Sequence, residues 1–110
     1  MPFTAYAGQL NPDAQMQIDH LLKFISQSAC QFNRNGDWYE ASEAAKHINK
    51  KYQYVLKKGL IENAEDFIKY SATKSSMSGK AYKVKCGSDK EITSQNWLIT
   101  ELKTFRKTPK

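Results

Sequence analysis

The sequence predicts an α+β domain that is mostly helical, with about four helices, a short two-stranded β-ribbon and one disulfide. Four segments carry apolar residues at helical spacing, whereas residues 81–86 alternate with a period of two. Two cysteines, Cys30 and Cys86, lie in or beside the two extended segments. With 110 residues, 40% of them hydrophobic, the chain is long enough for one domain with a modest core. No apolar run approaches the roughly 20 residues of a membrane span.

The first helix is predicted to begin at Pro12. Asn11 can cap the helix, and proline suits the first helical position because its missing N–H costs nothing there. One apolar stripe follows at helical spacing: Ala14, Ile18, Leu21, Leu22 and Ile25. The helix should end near Ser28, before a short extended segment.

The second helix is predicted to follow the turn dipeptide Asn35-Gly36. Asp37-Trp38-Tyr39-Glu40 has the spacing of a capping box, which predicts Asp37 as the N-cap. Gly59 supplies the C-terminal stop. The stripe between them comprises Ala41, Ala44, Ala45, Ile48, Tyr52, Val55 and Leu56.

Two further helices follow. Asn63 is predicted to cap the third helix, and Thr93 or Ser94 the last one. The expected inward residues are Phe67, Ile68 and Ala72 in the third helix and Trp97, Leu98, Leu102 and Phe105 in the last. We expect residues 8–106 to form the domain and residues 107–110 to form a basic tail.

The ribbon is predicted to pair Gln31–Arg34 with Tyr82–Lys85, which would bring Cys30 towards Cys86. A disulfide closing a loop of this length stabilises the fold by about 4 kcal/mol in the chain-entropy model. The alternative is two buried free thiols in a cytosolic protein.

The N-terminus favours an oxidising compartment. Ala5-Tyr6-Ala7 before Gly8 has the small-residue spacing of a signal-peptidase site, so residues 1–7 are interpreted as the remnant of a signal peptide. Its basic and apolar regions are missing from the sequence. Together with the cysteine pair, this pattern predicts a periplasmic or secreted bacterial protein.

From residue 18 to residue 106 the chain resembles the YfeK-like family of small uncharacterised bacterial proteins made with signal peptides. The matching pieces, in chain order, are residues 30–36, residues 39–41 with Ala44, Ala45 and His47, residues 64–68, and residues 74–82. The resemblance implies a periplasmic or secreted location and no established enzymatic activity.

The charge is unevenly distributed along the chain. Residues 1–40 carry two basic and four acidic groups, a net −2, whereas residues 41–110 carry fifteen and seven, a net +8. One electropositive surface is therefore expected, suited to an anionic partner or simply solvated. Its candidate residues are Lys46, Lys50, Lys51, Lys57 and Lys58 on the second helix, and Lys80, Lys83 and Lys85 on or near the second strand.

A second candidate surface is the loop of Ser78, Gly79, Lys80 and Tyr82. Ser-Gly-x-x-Tyr resembles the motif of several bacterial lysozyme inhibitors, whose loop meets acidic catalytic groups. Those inhibitors are β-rich, and a net charge of +6 opposes an encounter with a basic lysozyme. The alternative is structural, with Gly79 permitting a turn and Tyr82 packed in the core.

Neither catalysis nor metal binding is predicted. His20 and His47 belong to no recognisable nucleophile–base arrangement, and the cysteines and histidines lack the close ligand pairs of a zinc site. We therefore expect a non-catalytic envelope protein without cofactor that binds another envelope protein or an anionic surface, as an inhibitor or an immunity-type partner. The alternative, which we favour less, is a basic module that binds nucleic acid or another polyanion.

Overall fold

The computed structural model describes residues 10–107. Within them the chain forms four helices and four strands in a mixed α+β arrangement, which confirms the predicted fold class. The elements in chain order are α1 (Pro12–Gln27), β1 (Gln31–Arg34), β2 (Asp37–Glu40), α2 (Ala41–Lys57), α3 (Ala64–Ser71), β3 (Lys83–Lys85), β4 (Ile92–Thr93) and α4 (Ser94–Lys107). The predicted signal-peptide remnant lies outside the described residues. Lys107, which was assigned to the basic tail, is the last residue of α4.

Three of the predicted helix caps are confirmed. The Asn11 side chain accepts a hydrogen bond from the Ala14 N–H at 2.8 Å, and Asn63 accepts one from Asp66 at 2.8 Å. Thr93 Oγ1 caps α4 in the same way, at 3.2 Å from the Asn96 nitrogen. Each cap satisfies one of the N–H groups that have no partner within the helix.

The predicted two-stranded ribbon is wrong in number, because the sheet has four antiparallel strands in the order β2-β1-β3-β4. The predicted pairing of β1 with β3 is confirmed, with Phe32 opposite Val84. Both side chains are buried, which places one face of the sheet against the helices. The remaining strands, β2 and β4, extend this central pair on either side.

The predicted capping box at residues 37–40 is also wrong. This segment is β2, which pairs with β1 across the turn Asn35-Gly36. Both turn residues have positive φ, +57° and +89°, as a two-residue type I′ hairpin turn requires. Helix α2 therefore begins only at Ala41, after Glu40, whose side chain makes no capping hydrogen bond. The turn fixes the strand pairing, and the pairing overrides the capping pattern.

The disulfide between Cys30 and Cys86 is present, with the two Cα atoms 4.3 Å apart and a sequence separation of 56. It joins the residue that precedes β1 to the residue that follows β3. The bridge therefore fixes the central strand pair on which the helices pack.

The core lies between the helices and the inner face of the sheet. Its largest fully buried side chains are Ile18, Leu21, Ile25, Phe67, Ile68, Val84, Leu98 and Leu102. These residues follow the predicted apolar stripes, and Phe67 and Tyr52 add an edge-to-face contact at 5.3 Å between α3 and α2. Within residues 10–107, no helix is long and apolar enough to cross a membrane.

Candidate anion-binding pocket

A cavity of about 390 Å³ opens between helix α2 and the β1–β2 hairpin. We call it the cationic pocket. It is lined by Phe32, Asn33, Arg34, Tyr39, Glu43, Ala44, Lys46, His47, Ile48, Lys50, Tyr82 and Ser94. Four of these side chains are basic or can become so, and one, Glu43, is acidic. Residues distant in sequence thus form one site because the hairpin packs beside α2.

Arg34 and His47 form the centre of the pocket. Arg34 lies two residues after the buried Phe32 on β1, so the two side chains share the helix-facing side of the sheet. Its Nη1 atom lies 2.8 Å from His47 Nδ1 and 3.1 Å from Nε2. The guanidinium also lies 4.6 Å from the ring centre of Tyr39, within the range of a cation–π contact. Together these contacts orient the guanidinium.

The Tyr82 hydroxyl contacts two neighbouring side chains. His47 Nε2 lies 3.2 Å from this oxygen, and the Lys51 ammonium donates to it at 3.0 Å. When Arg34 donates to His47 Nδ1, Nε2 carries the ring proton and also donates to Tyr82. The hydroxyl then accepts two hydrogen bonds, and its own proton is left to donate elsewhere.

Burial, and secondarily the neighbouring positive charges, shifts the pKa values of the pocket groups. Burial, followed by the charges of Arg34, Lys51 and Lys50, lowers the pKa of His47. Burial and the charge of Arg34 lower the pKa of Lys51, whereas burial raises that of the Tyr82 hydroxyl. His47 is consequently held neutral more strongly than an exposed imidazole.

No ion pair within residues 10–107 compensates these charges. The two salt bridges in this part of the chain join His20 to Glu101 and Arg106 to Glu65, on other elements. Glu43 lines the pocket but forms no salt bridge with the lysines beside it. The pocket therefore has a positive potential that an anion would neutralise.

Ser94 adds an unpaired hydroxyl to the pocket wall. The residue is fully buried, and its Oγ has no hydrogen-bond partner among the described residues. Its backbone N–H donates to the Tyr82 carbonyl at 2.9 Å, which ties the first residue of α4 to Tyr82. A buried hydroxyl without a partner is costly, so this one is a candidate ligand contact.

The polar groups of Ser78, in the predicted binding loop, form hydrogen bonds within the protein. Ser78 donates its hydroxyl to Asn35 Oδ1 at 2.5 Å and accepts from the Lys80 N–H at 3.2 Å. Gly79 has a φ of +74°, which a side chain would disfavour. The loop thus packs on the hairpin turn next to Arg34, and of its predicted site residues only Tyr82 lines the pocket.

The lysines predicted to form one surface lie at several separate places in the structure. Lys46 and Lys50 line the pocket, and the half-buried Lys51 lies beside it and also donates to the Lys74 carbonyl at 2.8 Å. Lys57, the last residue of α2, and Lys58, its C-cap, lie about 10 Å or more from Lys50 along the helix axis, at a rise of 1.5 Å per residue.

The strand lysines lie elsewhere. Lys83 and Lys85 flank the buried Val84 on β3, and both are exposed. Because neighbouring side chains on a strand point to opposite faces, these two lysines lie on the face of the sheet away from the helices. They do not contribute to the pocket.

The sequence did not single out Arg34 or assign a binding role to His47 and Ser94. Arg34 directly precedes the Asn35-Gly36 turn and lies two residues after Phe32. This spacing places both residues on the same, buried face of a hairpin. That pattern was the one available signal for Arg34. The convergence with Tyr82 and Ser94 depends on the tertiary fold.

Comparison with known proteins gives a family but no activity. Residues 12–106 match the model of DUF5329, a family of unknown function. Neither a curated protein nor a solved structure matches the chain. Since the matched segment covers most of the 110 residues, the chain belongs to the DUF5329 family.

Proposed function

We propose that the protein is a non-catalytic binding protein of the bacterial envelope, periplasmic or secreted, that recognises an anionic group of its partner through the cationic pocket. One observation carries this proposal. His47 and Lys51 both contact the Tyr82 hydroxyl, and Arg34 contacts His47, without an ion-pair partner for these three groups in the described part of the chain. Charges gathered in this way favour an incoming anion.

The disulfide supports the proposed location. Bridges such as Cys30–Cys86 persist in oxidising compartments, and structural disulfides are rare in the cytosol. The resemblance to the YfeK-like family points the same way. The location therefore rests on the covalent chemistry of the chain and on that resemblance.

An inhibitor or immunity-type role fits this geometry when the partner is a protein that inserts an acidic side chain. The exposed loop flanks the pocket, because Ser78 is bonded to Asn35, next to Arg34. Met77 at its tip is 96% exposed and available for contact. In this proposal the loop borders the binding surface, and the pocket holds the anionic group.

Binding of a long polyanion is less well supported. The lysines expected to form one basic face lie on opposite sides of the sheet, with Lys46 and Lys50 on one side and Lys83 and Lys85 on the other. A nucleic acid held by phosphate contacts needs a continuous positive surface. The pocket favours a compact anionic group instead.

Titration with inorganic phosphate at constant ionic strength, followed by amide NMR shifts, tests the proposed function. We expect saturable shifts around Arg34, His47 and Tyr82, and we expect Arg34→Gln to abolish them. Arg106→Gln is the matched control, because it removes one arginine charge at the Glu65 salt bridge on α4. Equal phosphate shifts in both variants, or none in the native protein, would contradict the proposal.

A further inference from the structure

We propose that the ligand of the cationic pocket is a small organic anion whose acid group is bound by Arg34 and the hydroxyls of Tyr82 and Ser94, while its apolar body packs on the pocket wall. This inference rests on the proposed function and specifies the ligand class. It applies to a carboxylate or a phosphate ester, since both present the same oxyanion chemistry.

The first step is the pair of hydroxyls. Two buried hydroxyls lack a hydrogen-bond partner within residues 10–107, those of Ser71 and Ser94. Of these two, only Ser94 lines the pocket. Tyr82 adds a second donor there, because its oxygen already accepts from His47 and Lys51. Two O–H donors beside cations favour an oxyanion.

The second step is the unused part of Arg34. Both contacts of its guanidinium with His47 are made by Nη1, which donates to Nδ1. A guanidinium has five N–H donors arranged as a planar fork, so Nη2 and Nε remain for a ligand. A carboxylate or phosphate matches that fork with two oxygens.

The third step is the apolar wall. Phe32, Ala44 and Ile48 line the same cavity as Arg34, and Tyr39 lies beneath its guanidinium. The volume of about 390 Å³ is in the range of small-molecule sites. Acetate or inorganic phosphate would leave this wall uncovered. The shape therefore favours an acid group attached to a body about the size of one ring.

Four small compounds separate the contribution of the charged acid group to binding from that of the apolar body. Benzoate and phenyl phosphate carry both, acetate carries the charge alone, and benzamide is a neutral analogue of benzoate. Measured by NMR titration, benzoate or phenyl phosphate should bind about 10-fold or more tightly than acetate and benzamide, since ring burial and the charge both contribute. The tighter of the two aromatic anions identifies the acid group as a carboxylate or a phosphate.

A pair of variants tests the site itself. Ser94→Ala should weaken binding of the tighter aromatic anion about 10-fold, as expected for one hydrogen bond to a charged group, whereas Ser71→Ala should leave it unchanged. Both variants should fold, because neither serine hydroxyl has a partner to lose. The inference is overturned if the two variants bind alike, or if acetate binds as tightly as benzoate. In either case, phosphate shifts that depend on Arg34 would preserve the proposed function, and their absence would overturn both.

Discussion

The two histidines of the chain lie in opposite electrostatic surroundings. The Nε2 atom of His20, on α1, lies 2.6 Å from the Glu101 carboxylate of α4, and the ring stacks on Phe105 with ring centres 4.0 Å apart. Nearby on α4, Arg106 makes two hydrogen bonds to the carboxylate of Glu65, at 2.6 and 2.9 Å. In this region each of these basic groups has an acidic partner.

His47 is surrounded by positive charge instead. Burial, and after it the charges of Arg34, Lys51 and Lys50, lowers the pKa of His47, and no carboxylate in the described residues pairs with these three groups. Paired charges between α1, α3 and α4 hold elements together, whereas unpaired like charges oppose folding. The proposed binding role rests on this unpaired cluster. The comparison therefore contrasts basic groups that have acidic partners with basic groups that have none in the described residues.

The largest expected effect comes from breaking the disulfide, which supports the pocket side of the molecule. Reduction, or the double change Cys30→Ala and Cys86→Ala, should lower the free energy of unfolding by about 4 kcal/mol, because a long loop is released in the unfolded chain. Thermal melts and urea titrations measure the loss. NMR signals of His47 should shift more than those of His20, because Arg34 lies on the bridged strand β1.

Thiol titration provides the control for this prediction. Protein extracted without reductant should show no free sulfhydryl, whereas the reduced sample should show two. Free thiols in the native extract would contradict an oxidising compartment. An unchanged melt after verified reduction would show that the bridge does not stabilise the fold.

Local signals in the sequence predicted much of the fold. Asn11 and Asn63 are caps that act within one helical turn, and the alternation around Val84 defined β3. Strand β2 was missed because residues 37–40 satisfy a capping box as well as a hairpin strand. The choice between these structures depends on pairing with β1, which a local spacing rule does not include.

The site was predicted only in part. Tyr82 was expected to face inward, which its burial confirms, and its hydroxyl lies among the pocket cations. Its role in a binding loop stays a prediction. Arg34 and Ser94 carry no motif that would identify them. They reach His47 through strand pairing and the position of α4, which are long-range features of the fold.

The next effect in size is the pH dependence of stability. Because the pKa of His47 is lower in the folded protein than the value of about 6.5 in the unfolded chain, the unfolded chain binds more protons. The contribution of His47 to the free energy of unfolding is therefore complete above pH 6.5. It is lost as the pH falls towards the pKa of His47 in the folded protein. Urea titrations at pH 7.5 and 5.5 should show lower stability at pH 5.5, by less than the loss of the disulfide causes.

Variants assign this pH effect to one residue. The titratable and charged groups that line the pocket or contact His47 are Arg34, Tyr39, Glu43, Lys46, Lys50, Lys51 and Tyr82. Among these and His47, the imidazole is the group expected to titrate between pH 7.5 and 5.5. His47→Gln should therefore flatten the profile, and His20→Gln should retain this pocket contribution. A native pH profile in His47→Gln would rule out the assignment.

The smallest effect concerns the two arginines. Arg106→Gln removes an exposed bidentate pair with Glu65 and should cost up to about 1 kcal/mol in low salt. In 1 M NaCl the cost should shrink, because charges are then screened over about 3 Å. Arg34→Gln should not lower stability, since it removes repulsion in the pocket and glutamine can still donate to His47.

Urea titrations of both arginine variants at the two salt concentrations compare their stabilities directly, with Lys103→Gln as a control for the loss of an exposed charge on α4. An equal loss of stability in both arginine variants would mean that the pocket charges are structural, and the contrast between the two regions would no longer hold.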